Sequence, residues 1–349
     1  MSAGSVALVC TYPPPLAGMS HQASILADYL ESEGLTVHRI RANNYHGIPP
    51  LRDLSAWWQF WKVVREVDVV NVQTCCYTSY FGTSAPIIYW AKKLGKRVVV
   101  TYKHGAAREV FDRTGEFGLR WMRMADVVTV QSGFLKDVFN DFNLETCTVN
   151  DLFEPDTPEL PPKRPNTDAP KIIMTRGFGH YYNPICTVKA FEMVVAKYPR
   201  AELAIAGAGS LEAMTRQYVK SNRVPNVTMP GQVSRARIHD LLREADILIN
   251  SSNIDNCPGS LLEAFVFGVP IASTAAGGIP YMVEHDVSAR LVPVKDHEAL
   301  GRETLYLLEN PDIAREHAAA AQKSLDQYRW DHVREGWFEA LALRPESAK

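Results

Sequence analysis

The chain has 349 residues, a formal net charge of −2, 46% hydrophobic and 22% charged residues, which suits a soluble globular protein and is long for a single core, so two domains are expected. Neither half is basic enough to point to nucleic acid, with 15 basic against 13 acidic residues through position 150 and 22 against 26 thereafter. No apolar run reaches membrane-spanning length, the N-terminus has no signal-type segment, and Cys10, Cys75, Cys76, Cys147, Cys186 and Cys257 show no CxxC pair and no metal-like spacing; they read as reduced core thiols of a cytoplasmic protein.

Val6 to Tyr12 is a buried-strand run that ends in TYPPPLAGMS, after which Ile25, Leu26, Tyr29 and Leu30 recur at helical spacing until Gly34. The loop carries Gly18, and its length and glycine suit either an ordinary βα connection or a loop approaching a ligand. Thr36 to Arg41 is a second strand. Leu54 to Glu66, LSAWWQFWKVVRE, is a helix with a wide aromatic stripe. Such a stripe covers a parallel sheet or docks on a membrane interface or lipid-bearing acceptor, and core packing is the stronger expectation. Strands at Val67 to Gln73 and Arg97 to Tyr102 flank an apolar helix, Ser84 to Leu94. The second of them empties into KHGAAREVF, placing His104 beyond a strand's carboxyl end; a lone histidine there is more often structural than catalytic. A strand at Asp126 to Gln131, a helix at Gly133 to Phe139 and Thr146 to Asn150 complete a first half that alternates β and α, as an open parallel sheet does.

Glu154 to Pro170 holds six prolines in 17 residues and reads as an extended linker at a domain boundary. The alternation then restarts. Lys171 to Thr175 is a strand followed by RGFGHYYNP and a helix from Ile185 to Tyr198, and Ala201 to Ala206 is a strand followed by GAGSL and a helix through Tyr218. These strand ends present Arg176, Gly207 and Gly209. An arginine opposite a helix N-terminus is what a departing diphosphate needs, whereas GAGSL is too short for a dinucleotide fingerprint and reads equally as a tight turn.

Asp246 to Asn250 is a strand that leads through SSNIDNCPG into a helix from Ser260 to Phe267. Asp255 and Glu263 lie eight apart, and Pro258 and Gly259 start the helix between them. The amides of Gly259, Ser260, Leu261 and Leu262 would then face an anion such as a phosphate, with the two carboxylates accepting hydrogen bonds from sugar hydroxyls on either side. That is the shape of a nucleotide sugar. The plainer alternative is a loop shaped by Pro258 and Gly259 with Glu263 in solvent. After Pro270 to Ser273 and AAGGIP the chain is helical from Glu298 onward, and its last stretch, about 331–349, is long enough to return to the first domain.

Taken together, the N-terminal glycine loop, Arg176, the GxG at Gly207 and Gly209, the acidic residue before an EA helix, GVP and GGIP resemble the retaining glycosyltransferases of family 4, with the GT-B fold. The resemblance covers essentially the whole chain. It implies two Rossmann-like, doubly wound parallel-sheet α/β domains facing a central cleft: an acceptor-side domain over 1–155, joined by the C-terminal helix, and a nucleotide-sugar domain over 156–330. It further implies that Glu263 holds the donor ribose, that Asp255 lies near the transferred sugar, and that the backbone of Asn256, Cys257, Pro258, Gly259, Ser260 and Leu261 sits against sugar and phosphate. Arg176 falls on the diphosphate, Gly18 over it, and His104 lines the donor sugar.

Three departures stand out: Asp255 replaces the usual glutamate, Ala17-Gly18 replaces a frequent Gly-Gly, and Tyr181, Tyr182 and Asn183 occupy the region where the family commonly has a lysine. The expected activity is transfer from a nucleotide diphosphate sugar, UDP- or GDP-linked, to a sugar, lipid-linked or small-molecule acceptor, with no cofactor and no metal. A sugar-nucleotide epimerase and a non-catalytic nucleotide-sugar-binding protein are the alternatives. The aromatic stripe adds peripheral contact with the inner face of a membrane through the first domain to the expectations.

Overall fold

The computed structural model describes residues 4–13, 18–42, 54–75, 80–153 and 157–344. Outside them lie Pro14 to Ala17 of the first loop, Cys76, the start of the proline-rich segment at 154–156 and the last five residues. By the distribution of its internal contacts the chain forms two units, Met1–Glu154 with Gln327–Lys349, and Pro155–Asp326.

The first unit holds strands β1 (Ser5–Cys10), β2 (Thr36–Arg41), β3 (Val69–Thr74), β4 (Arg97–Tyr102), β5 (Val127–Val130) and β6 (Cys147–Thr148) in one parallel sheet ordered β2-β1-β3-β4-β5-β6. Every residue of β3 is buried, as expected where helices cover both faces of a parallel sheet. One face packs on α2 (Leu54–Val63), α3 (Ala85–Lys93), α4 (Ala107–Met122) and α5 (Gly133–Asp141) through Phe60, Ile88, Phe111 and Phe139. The other packs on α1 (Gly18–Ser32) and α12 (Trp330–Leu341) through Leu26, Leu30, Trp337 and Leu341. The Trp330 ring stacks on Tyr29 at 4.8 Å, and its indole N–H donates to Glu33 at 2.8 Å.

Local differences from the sequence expectation have local causes. The aromatic helix ends at Val63 instead of continuing to Glu66. Helix α3 is entered through a π-helical turn, Tyr80–Ser84. Helix α4 has no counterpart in the sequence reading, because Gly115 and Gly118 break its pattern; Gly115 takes φ 52° and divides it into two short pieces. At the other end α12 stops at Leu341, where Ala342 turns left-handed at φ 53°.

The second unit holds β7 (Lys171–Met174), β8 (Glu202–Ala206), β9 (Val227–Gly231), β10 (Ile247–Asn250), β11 (Ile271–Thr274) and β12 (Arg290–Val292), again parallel, ordered β12-β11-β10-β7-β8-β9. Its helices are α6 (Pro184–Lys197), α7 (Glu212–Ser221), α8 (Arg235–Glu244), α9 (Gly259–Val266), α10 (His297–Glu309) and α11 (Pro311–Lys323). Counted from β7, the order is 3-2-1-4-5-6, the doubly wound arrangement whose direction reverses between its first and fourth strands, here β7 and β10. Strand β12 is short and was not anticipated.

The proline-rich segment is not a free spacer over its described part. Leu160 and Lys163 donate backbone N–H groups to the Val266 and Gly268 carbonyls at 2.8 Å each. The Lys163 ammonium donates to the carbonyls of Leu242, Arg243 and Ala245 at the end of α8. Prolines fix the chain's direction at little entropic cost, and these contacts seat it along the second unit.

Candidate active site

The reversal in strand order places the loops after β7 and β10 side by side at the carboxyl edge of the second sheet. Arg176 stands two residues beyond β7. Its Nη2 lies 2.9 Å from Asp255 Oδ2 and 3.0 Å from Oδ1, with Asp255 only 8% exposed. Asp255 also accepts the Asn256 N–H at 3.0 Å, and the Ser252 hydroxyl lies 3.0 Å from Oδ2. Burial is the largest single influence and opposes the guanidinium charge, but Asp255, Tyr182 and Glu263 together outweigh it, so the arginine pKa is raised above its ordinary value. Arg176 Nε is buried with no hydrogen-bond partner, as is the neighbouring Thr175 hydroxyl.

The guanidinium also lies over the Tyr182 ring, with its carbon 4.2 Å from the centroid. Tyr182 ends a single 3-10 turn, His180–Tyr182, and Asn183 follows in the left-handed region at φ 47° before Pro184 opens α6. The loop after β10 holds this turn: the Ser251 hydroxyl lies 2.9 Å from the carbonyls of both Tyr182 and Asn183, and the Asn253 N–H donates to Tyr181 O at 2.7 Å. Tyr181, Tyr182 and Asn183, read from sequence only as the place of a missing lysine, are thus the support on which Arg176 rests. The two adjacent tyrosines before Asn-Pro were the available signal, since an aromatic ring near a strand-end arginine offers a cation–π platform.

Gly207 and Gly209 have a packing reason to be glycine. The Phe178 N–H donates to Ala208 O at 3.1 Å, and the Leu211 N–H to Phe178 O at 2.9 Å, so the loops after β7 and β8 lie backbone against backbone. A Cβ on Gly209 would sit 2.4 Å from the Phe178 carbonyl carbon, and Gly207 has φ 141°. Gly278, also missed as a site residue, does the same under Asp255: its N–H donates to Asp255 O, and an added Cβ would meet Asn256 O at 2.0 Å.

Helix α9 begins at Gly259 after Pro258, which makes no side-chain cap. The Leu261 N–H donates to Pro258 O at 3.0 Å, which removes it from the amides offered to an anion. In its place Ser260 adds a hydroxyl that is buried and unpartnered. Asn256 and Pro258 are buried, Cys257 and Glu263 half-buried, and Gly259 exposed. The second unit therefore brings Arg176, Asp255, Glu263 and 256–261 to one edge of its sheet.

His104 and Gly18 belong to the first unit. His104 follows β4 and its Nδ1 accepts the Ala106 N–H at 3.2 Å, so a neutral ring carries its proton on Nε2. Gly18 is the first residue of α1 and not a loop residue, exposed, with open space where a Cβ would stand.

Residues 156–324 match the family model of glycosyl transferases group 1. N-acetyl-alpha-D-glucosaminyl L-malate synthase of Bacillus anthracis is 25% identical over 321 residues, covering 85% of this chain and 81% of that protein. The sucrose-phosphate synthase of Thermosynechococcus elongatus superposes with a TM-score of 0.78 at 16% identity, covering 96% of this chain and 98% of its own. HepE of Anabaena, solved with UDP and glucose, gives 0.73 at 15% identity over 97% and 99%. The strand order of the second unit, the acidic pair flanking the start of α9 and these likenesses converge: residues 156–324 match the glycosyl transferases group 1 model, and the chain has the GT-B fold and is a glycosyltransferase.

Proposed function

We propose that the chain is a retaining, family 4 transferase that moves a sugar from a nucleotide diphosphate sugar to an acceptor hydroxyl without a metal ion. The observation that carries this reading is Arg176 at the strand-order reversal, charged, backed by Tyr182, oriented by Asp255 and with its buried Nε–H unpartnered. A departing diphosphate gains charge as the glycosidic bond breaks, and a preorganised cation with donors already aimed stabilises that charge without reorganisation. The Ser260 hydroxyl and the amino end of α9 supply further donors. Glu263 takes the ribose hydroxyls. Asp255, with its carboxylate engaged by Arg176, orients the cation and reaches the transferred sugar through the oxygen lone pairs that remain.

Retention follows from a front-face substitution in which the leaving phosphate helps accept the acceptor's proton, a route that asks for no protein nucleophile. His104, protonated on Nε2, donates to a donor-sugar hydroxyl, and Gly18 leaves room for phosphate at the start of α1. UDP and GDP are the proposed nucleotides of the donor, UDP being the one in the HepE complex. The acceptor is a sugar, a lipid-linked or a small-molecule hydroxyl. A cytoplasmic location suits Cys10, Cys147 and Cys186, which form no disulfide among the described residues.

The test is turnover of UDP- and GDP-sugars with an acceptor panel, followed by NMR of the product anomer. Retained anomeric configuration, and activity that survives EDTA, are expected. An inverted product sinks the retaining mechanism, EDTA inhibition reversed by a divalent ion sinks the metal-free one, and epimerised donor in the absence of acceptor sinks the transferase.

A further inference from the structure

Five of the seven tryptophans, Trp57, Trp58, Trp61, Trp90 and Trp121, lie on α2, α3 and α4, the helices that cover one face of the first sheet. That layer has a buried side, carried by Phe60, Ile88 and Phe111, and it has an opposite side that packs on nothing described. On the latter, Trp58 is 61% exposed, Phe117 56%, Trp61 43% and Trp90 41%.

The rings form a connected surface. Trp61 meets Trp90 at 5.6 Å, Trp90 meets Tyr89 at 5.4 Å, and Tyr89 meets Trp121 at 6.1 Å. The Arg120 guanidinium carbon sits 4.1 Å from the Trp121 ring centroid and 4.4 Å from that of Phe117. Cations fringe it throughout: Lys62 Nζ lies 3.3 Å from the Trp58 centroid and Lys93 Nζ 5.7 Å from that of Tyr89. Helices α2 and α3 carry Lys62, Lys92 and Lys93 and no acidic residue.

We infer that this face of α2, α3 and the second piece of α4 docks on an anionic lipid surface. Indole and phenyl groups settle at the headgroup level of a bilayer, where an apolar body and a polar edge are both accommodated, and basic side chains beside them are drawn to anionic lipid. Charge decides against a second copy of the chain. Lys62, Lys93 and Arg120 outnumber the one acid of the same face, Glu116 of α4, so an isologous contact would press two net-positive patches together. The inference does not depend on the transferase reading, since every residue it uses lies outside the proposed donor site.

The experiment is sedimentation of the full chain with phosphatidylcholine vesicles, with and without a minority of phosphatidylserine, alongside quenching of tryptophan fluorescence by bromine-labelled acyl chains. Binding to the anionic vesicles, weakened by salt and accompanied by quenching, is expected. Replacing Lys62→Glu with Lys93→Glu lowers the partition coefficient at least about tenfold, and Trp58→Ala with Phe117→Ala lowers both binding and quenching. The exposed Lys220→Glu, in the second unit, leaves binding unchanged. Equal binding to neutral vesicles, an equal loss in the Lys220 variant, or no quenching overturns the inference. So does dimerisation that disappears with Trp58→Ala in a chain that ignores vesicles.

Discussion

Both units are open parallel sheets with one reversal of strand order, yet among the described residues only the second joins the two loops at that reversal by an ion pair. In the second unit the reversal lies between β7 and β10, and the loops that follow bring Arg176 onto Asp255. In the first it lies between β1 and β3, where the described hydrogen bonds join neutral side chains, the Cys10 thiol donating to Gln73 Oε1 at 3.4 Å and the Ser84 hydroxyl to Thr74 Oγ1 at 3.0 Å, with Lys103 and Asp151 near enough to act on Cys10. Burial pushes the Cys10 pKa up to about 11, so that thiol stays protonated at neutral pH. The nearest buried ion pair of the first unit is Lys103 with Asp151 at 2.6 Å, which follows β4 and β6. The architecture creates the crevice in each case, and the residues of two short loops decide whether it can bind an anion.

The comparison breaks most directly at Arg176. Arg176→Ala removes the leaving-group cation and strands a buried carboxylate, so kcat falls about 10²- to 10³-fold and the fold loses about 3–5 kcal/mol. Arg176→Lys restores a charge but neither the flat guanidinium that lies over Tyr182 nor the buried Nε donor, and it recovers stability more than turnover. Normal kcat in Arg176→Ala, measured on protein that melts cooperatively, would show that another group carries the diphosphate charge. Glu263→Ala sharpens the same contrast: nucleotide affinity drops by about 2–4 kcal/mol, because hydrogen bonds to an ionised acceptor are the strong kind. Titration calorimetry with UDP and GDP checks it, and an unchanged Kd removes Glu263 from the site.

How much of this could be read without coordinates differs between the sheets and the loops. Buried parallel strands announce themselves as short apolar runs, so Arg97–Tyr102 has the ends expected from sequence, and the mostly exposed edge strand Thr36–Arg41 has them too. Helix α4 escaped because Gly115 and Gly118 interrupt its apolar pattern, and β12 because three residues show no period. In the site, the charged residues and the start of α9 were legible from spacing. The pairing of Arg176 with Asp255 was not, since it joins positions 79 apart that only the strand order makes neighbours. Nor was the use of Tyr182, since a gap in an expected motif says nothing about what fills it.

Tyr182 is therefore the next place to press. Tyr182→Ala removes the ring under the guanidinium, a contact of about 0.5–2 kcal/mol, and lowers kcat by about three- to thirtyfold; Tyr182→Phe keeps the ring and most of the rate. Equal losses in the two variants would assign the effect to the hydroxyl and end the account of the ring as a support.

The smallest effect separates the glycines of the two units. Gly209 is held against Phe178, so Gly209→Ala must displace backbone and costs about 1–3 kcal/mol of stability whether or not a ligand is bound. Among the described residues Gly18 meets nothing within 4 Å, and it begins a helix, so Gly18→Ala leaves stability unchanged or raises it by up to about 1 kcal/mol, as alanine is the better helix former. Any functional loss in Gly18→Ala would then come from the ligand alone, since the unliganded chain has room for the methyl group. Measured together, melting temperature and donor KM distinguish the cases. A rise in KM at constant melting temperature places Gly18 against the donor phosphates, whereas unchanged values of both reduce it to an ordinary helix start and leave the donor contacts to the second unit.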